Sequence, residues 1–153
     1  MEKVSKYVSY KEVTHSNQAT ALRIGNVPNA EQLGNLKLVC TNIFDKVREH
    51  FGKPIGISSG FRSVELNTRI GGSKSSQHMQ GKALDIDADI HGGINNKEIF
   101  DYIKNNCTFD QLIWEFGSEN APSWVHVSYN KEGNRGQILR AVKSGGRTVY
   151  QPF

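Results

Sequence analysis

The spacing of apolar and polar positions divides the chain into helical segments first and strand-like runs last. "SNQATALRIGN" reads as a short helix opened by Ser16 and stopped near Gly25. A clearer helix follows, with Asn29 as cap and Gln32 at the capping-box position. Leu36, Val39, Cys40, Ile43, Phe44 and Val47 recur along it at helical spacing, and Gly52 and Pro54 end it. "PIGISSGF" predicts a short strand, and "SVELNTRIGG" a turn or two of helix between Ser63 and Gly71. "KALDIDA" alternates, with Leu84 and Ile86 facing one way and Ala83, Asp85 and Asp87 the other. "NNKEIFDYIKNN" is amphipathic, burying Ile99, Phe100 and Ile103. The runs "QLIWEF", "WVHVSY" and "QILRAV" close the chain, separated by turn-rich "GSENAPS" and "NKEGNRG". This order predicts an α+β fold, N-terminal helices packed on a central antiparallel sheet. The core strands are expected around residues 83–88, 111–116 and 124–129.

Composition narrows this only slightly. A chain of 153 residues is expected to form a single domain, 1–153, and 37% hydrophobic with 22% charged residues is the balance of a globular protein. Lys and Arg outnumber Asp and Glu by 19 to 15, a net charge of +4. The positive residues are scattered, which argues against a nucleic-acid partner. Cys40 and Cys107 form no C-x-x-C pair, so they are expected to be buried apolar residues, not a disulfide or zinc set. The first residues lack the apolar centre of a signal peptide, and no stretch approaches the roughly 20 apolar residues of a membrane span. The expectation is a protein cytoplasmic as synthesised, and a monomer.

Among the histidines, His15, His50 and His91 fall at helix edges or in a loop, whereas His78 and His126 each lie beside a strand. In "WVHVSY", Trp124, His126 and Ser128 share one face; in "QLIWEF", Gln111, Ile113 and Glu115 do. If these runs pair as an antiparallel hairpin, Glu115 sits opposite or diagonal to His126. His78, Asp85 and His126 then make two imidazoles and a carboxylate, a recognised catalytic zinc set that leaves a position for water. A nearby glutamate can take a proton from that water and pass it to a leaving amine. Glu115 suits this role; Asp87 competes for it, or else is a solvated or hydrogen-bonded strand end. Arg62, in "SSGFRS", is able to bind a substrate carboxylate through two parallel hydrogen bonds, or is simply an exposed loop arginine.

"SQHMQGKALDID" matches S-x-H-x-x-G-x-A-x-D through Ser76, His78, Gly81, Ala83 and Asp85. With "SSGFRS" upstream and "WVHVSY" downstream, it resembles the zinc D-alanyl-D-alanine carboxypeptidase family over roughly residues 14–130, most closely its short, phage-like branch. The resemblance implies a hedgehog/D-Ala-D-Ala peptidase-like fold with zinc (Zn2+) held by His78, Asp85 and His126 on an antiparallel sheet. It raises Arg62 as a substrate-carboxylate contact and Ser76 as a nearby polar contact, with Gly81 and Ala83 keeping the metal's surroundings uncrowded. One departure stands out. Several branches carry the base in E-x-x-W-H; here Ser123 occupies that place and Val125 separates Trp124 from His126, so the base must come from elsewhere, and Glu115 is chosen.

The expected function is a zinc metallopeptidase that cuts an amide bond in peptidoglycan stem peptides, as a D-Ala-D-Ala carboxypeptidase or an endolysin-type endopeptidase. Such an enzyme would reach the cell wall by a separate release route or inside a virion. The alternative is a non-catalytic zinc-containing module that only binds cell wall, which the missing E-x-x-W-H glutamate keeps open. Nucleic-acid binding rests on the net charge alone.

Overall fold

A computed structural model describes residues 2–153. Its centre is a six-stranded sheet in the order β1-β2-β4-β3-β5-β6, formed by β1 (Gly56–Ser59), β2 (Ala83–Asp87), β3 (Gln111–Glu115), β4 (Trp124–Ser128), β5 (Gln137–Ser144) and β6 (Arg147–Pro152). The helices are α1 (Tyr10–Thr14), α2 (Asn17–Leu22), α3 (Ala30–Val39), α4 (Asp45–Phe51), α5 (Val64–Arg69) and α6 (Asn96–Asn106). The expected α+β class holds. Among the described residues no helix is long and apolar enough to cross a membrane.

Local signals placed most of these elements. Ser16, Asn29 and Ser63 each accept a backbone N–H from the first turn of α2, α3 and α5, and Asn29 with Gln32 completes a capping box. The apolar stripe from Leu36 to Val47 is fully buried. It runs through one continuous helix in which Cys40–Phe44 is widened to a π-helical segment between α3 and α4. The helix α2 stops earlier than expected, at Arg23, which adopts a left-handed conformation (φ 56°). Cys40 is buried as expected, whereas Cys107 is only partly so.

The expected antiparallel sheet is in fact mixed, because β3 and β5 run parallel. The reason lies in the turn after β4. The flanks of β4 are already taken by β2 and β3, so β5 must pair on the far side of β3. The buried Asp110 carboxylate, at the start of β3, accepts from the Arg135 backbone N–H (3.0 Å) and from the Arg135 guanidinium (3.0 and 2.7 Å). Gln137 N–H also donates to the Asp110 carbonyl (2.9 Å). This clamp makes β5 begin where β3 begins, hence parallel. Arg135 holds the Asp110 carboxyl well below the usual carboxylate range despite its burial. A depressed carboxylate stabilises the fold above its unfolded pKa, and that contribution is lost as acid protonates it. Asp110→Ala is expected to cost on the order of 3 kcal/mol, since several hydrogen bonds to a charged group go at once. Chemical denaturation at neutral pH checks this; an unchanged midpoint would rule out the clamp.

Two elements lie outside the expected set. The helix α1 is opened by a Ser9–Glu12 capping box, and β6 follows β5 through a Gly145–Gly146 turn in which both residues have positive φ.

The sheet has two unlike faces. Leu84, Ile86, Leu112, Trp114, Val125 and Val127 pack with Leu36, Ile43, Phe44, Phe100 and Ile103 in one apolar core. Each such side chain contributes roughly 1.5–3 kcal/mol on burial. Strand alternation sends Ala83, Asp85 and Asp87, Ile113 and Glu115, and His126 and Ser128 to the opposite face. The polar chemistry of the chain gathers there.

Candidate metal centre

Asp85 and His126 are direct partners across the β2–β4 ladder, which brings their side chains together on the polar face. The Nδ1 of His126 lies 3.2 Å from Asp85 Oδ1. His78 arrives from a separate 3₁₀ turn, Gln77–Gln80, that precedes β2. One ligand atom from each of His78, Asp85 and His126 lies within 4.8 Å of the others.

The turn is held from both sides. His78 Nδ1 is 2.7 Å from the Gly60 carbonyl, so Nδ1 carries the proton and donates it. In the neutral imidazole this leaves Nε2 as a lone pair, 3.3 Å from Asp85 Oδ1. That nitrogen is buried and has no hydrogen-bond partner among the described residues. A lone pair facing a carboxylate oxygen is repulsive unless a cation lies between them. The same preference for positive charge appears at Asp85. Burial pushes its carboxyl up, but the two neighbouring imidazoles, His78 and His126, override this and hold it well below its usual range. Two imidazoles, one carboxylate and an orphaned buried nitrogen fit a zinc ion. The Gly60 carbonyl is the outer partner that fixes the His78 tautomer.

Gly60 has no room for a side chain, because a Cβ would sit 2.5 Å from the Val13 carbonyl oxygen at the end of α1. Gly81 is likewise pressed on α3, where a Cβ would stand 2.4 Å from the Gln32 carbonyl oxygen, and its φ is +74°. Its role is therefore to dock the His78 turn on α3. Keeping the metal's surroundings uncrowded, the expected role, is not what demands glycine there.

Glu115 pairs with Trp124 in the β3–β4 register, so it lies diagonal to His126 on the same face. Only 7% of it is exposed. Burial pushes its carboxyl up to about 7; His126 and Arg62 pull it down, and Asp85 pushes it further up. A carboxylate with such a pKa exchanges a proton readily near neutrality. Asp87, its competitor, accepts from Asp89 N–H (3.0 Å) and Asn96 Nδ2 (3.1 Å). Its oxygen is committed to structure.

Arg62 is drawn towards the cluster by its backbone, whose N–H donates to the His78 carbonyl (3.1 Å). Burial lowers its pKa while Asp85, Glu115 and Tyr150 oppose that shift, so all three lie within its electrostatic reach. Asn26 grips this loop, donating to the Thr14 and Phe61 carbonyls (2.8 and 3.0 Å) and accepting from Ser63 N–H (2.7 Å). Asn67, which in the sequence is one residue of a short helix, is buried. Its Oδ1 accepts from the Arg62 guanidinium (3.2 Å), and its Nδ2 donates to the Ser73 carbonyl (2.9 Å). Only its tertiary position marks it, since no spacing rule singles out an asparagine there. Ser76, expected as a polar contact, uses its hydroxyl to accept from His78 N–H (3.2 Å) and so caps the 3₁₀ turn.

The chain belongs to the Peptidase M15 family, whose model matches residues 6–128 and so includes every candidate residue from Arg62 to His126. A zinc D-Ala-D-Ala carboxypeptidase of Streptomyces albus G is 48% identical to it over 40 residues. That stretch is 26% of this chain and 16% of the length of the relative.

Proposed function

We propose that this protein is a zinc metallopeptidase that hydrolyses an amide bond in peptidoglycan stem peptides. The observation that carries the reading is Glu115, buried beside a His78–Asp85–His126 cluster and raised to about 7. The Streptomyces albus G relative supports the substrate class. His78, Asp85 and His126 would hold the zinc, whose chemistry when bound is to polarise a carbonyl and acidify water. Glu115 takes a proton from the water that adds to the scissile carbonyl carbon. It then delivers that proton to the amine nitrogen as the C–N bond breaks. Arg62, steadied by Asn67, pairs with a free carboxylate of the peptide and sets the scissile bond against Glu115. A carboxylate beside the cut bond is a feature of a D-Ala-D-Ala end.

The test is mass spectrometry of purified muropeptides incubated with zinc-loaded protein, with and without a chelator. A chelator-sensitive product is expected, and its mass names the bond as terminal or internal. Full zinc loading with no product from any stem peptide would leave the protein a binding module. Arg62→Lys is expected to raise KM roughly tenfold with zinc content unchanged, because an ammonium does not reproduce the two-pronged contact. Steady-state kinetics on a peptide with a free carboxylate check this. An unchanged KM would remove Arg62 from the substrate site.

A further inference from the structure

The strands β5 and β6 lie beyond the family match, which ends at residue 128, yet they extend the face that carries the site. Glu115 pairs with Ala141 on β5, and Ala141 pairs with Tyr150 on β6. Directly paired residues share a face, so Glu115, Ala141 and Tyr150 form one row across three strands. The middle member is the smallest, a fully buried alanine, so no side chain larger than a methyl stands in the row between the carboxylate and the phenol ring. Tyr150 is 51% exposed although it is large and partly apolar. Nothing in the core requires it: the aromatic cluster of Phe100, Trp114 and Phe153 lies on the opposite face.

We propose that Tyr150 forms the far wall of the substrate cleft and donates a hydrogen bond from its hydroxyl to an oxygen of the peptide lying between Arg62 and Glu115. This rests on the peptidase reading above and adds to it a substrate-contacting residue supplied by the β5–β6 hairpin. The electrostatics agree with the geometry. Burial raises the phenol's pKa, Glu115 and Asp85 raise it further, and Arg62 opposes them, so the phenol keeps its proton and stays a donor. These are the groups that surround the proposed peptide. Among the described residues no protein group hydrogen-bonds the hydroxyl. The donor is free for a ligand.

The experiment compares full-length zinc-loaded protein with its Tyr150→Phe variant, which keeps the ring and loses only the hydroxyl. Hydrolysis of a stem peptide is followed by steady-state kinetics. Binding of the same peptide is measured by calorimetry in a Glu115→Gln background, with and without Tyr150→Phe. The expected result is about a tenfold loss of affinity and of kcat/KM, the scale of one hydrogen bond to a carboxylate or a developing negative charge. Tm and zinc content should be unchanged, because neither the core nor the ligands include the hydroxyl. Equal affinity and equal kcat/KM in the two proteins would overturn the assignment. If the protein with Tyr150 intact neither cleaves nor binds any stem peptide, the peptidase reading has failed, and that result is separate from the comparison at Tyr150.

Discussion

Replacing Asp85 with alanine is expected to abolish stoichiometric zinc binding and, with it, peptide hydrolysis. The carboxylate lies between two imidazoles, 3.3 Å from His78 Nε2 and 3.2 Å from His126 Nδ1. Losing an outer-shell partner typically weakens a metal site about 10–100-fold, and removing a direct ligand should exceed that. The variant should therefore come through dialysis with less than one-tenth of the zinc of the unaltered protein, measured by elemental analysis. A chelator should reproduce the loss of activity in the unaltered protein. It should also lower Tm, because zinc at about 100 times its Kd stabilises the fold by roughly 2.7 kcal/mol. An Asp85→Ala protein that retains one zinc per chain would show that the metal is held elsewhere.

Glu115→Gln should have the second largest effect and a different character. The amide keeps the shape of the side chain but is unable to take a proton, so zinc content should hold while kcat falls about 10²–10⁴-fold. Full activity in this variant would exclude Glu115 as the proton carrier. The same residue makes a prediction about the metal-free protein. The folded-state pKa of about 7 lies above the ordinary value of 4.5, so between those pH values the folded chain binds more protons than the unfolded one. Stability should fall as pH rises through that window. Below about 4.5 the carboxyl is neutral in both states and costs nothing; above about 7 the buried charge costs its full desolvation, on the order of 3 kcal/mol. Glu115→Gln should flatten this slope in denaturation curves of the chelated protein, and a slope that persists would place its origin in another group.

A sheet that ended at β5 would lack the third member of the Glu115–Ala141–Tyr150 row. With β6 added, that row gains an aromatic side chain from outside the portion of chain that matches the family. Differences in peptide preference between this protein and relatives lacking such a hairpin are then expected to follow the wall, while the metal and its ligands stay the same.

Features that depend on neighbours within a few residues are legible in the chain alone. Ser16, Asn29 and Ser63 cap helices because each has backbone N–H groups two or three residues ahead. The alternation in "KALDIDA" put Asp85 and Asp87 on one face, and that in "WVHVSY" put His126 with Ser128, before any partner strand was known. The motif around His78 named two candidate ligands, His78 and Asp85, and the run "WVHVSY" supplied the third, His126. Choosing between equivalent residues takes the packed fold. Asp85 and Asp87 point the same way, yet the β2–β4 register sets Asp85 opposite His126, while Asn96 and the Asp89 backbone take Asp87. Glu115 became diagonal to His126 only when the register of β3 on β4 was known, because a slip of one residue would have turned it into the core. Asn67, the Gly60 carbonyl, the Asp110 clamp and Tyr150 carried no local signal. Each acts on a residue distant in sequence, and such pairings are set by the packing of whole elements against one another.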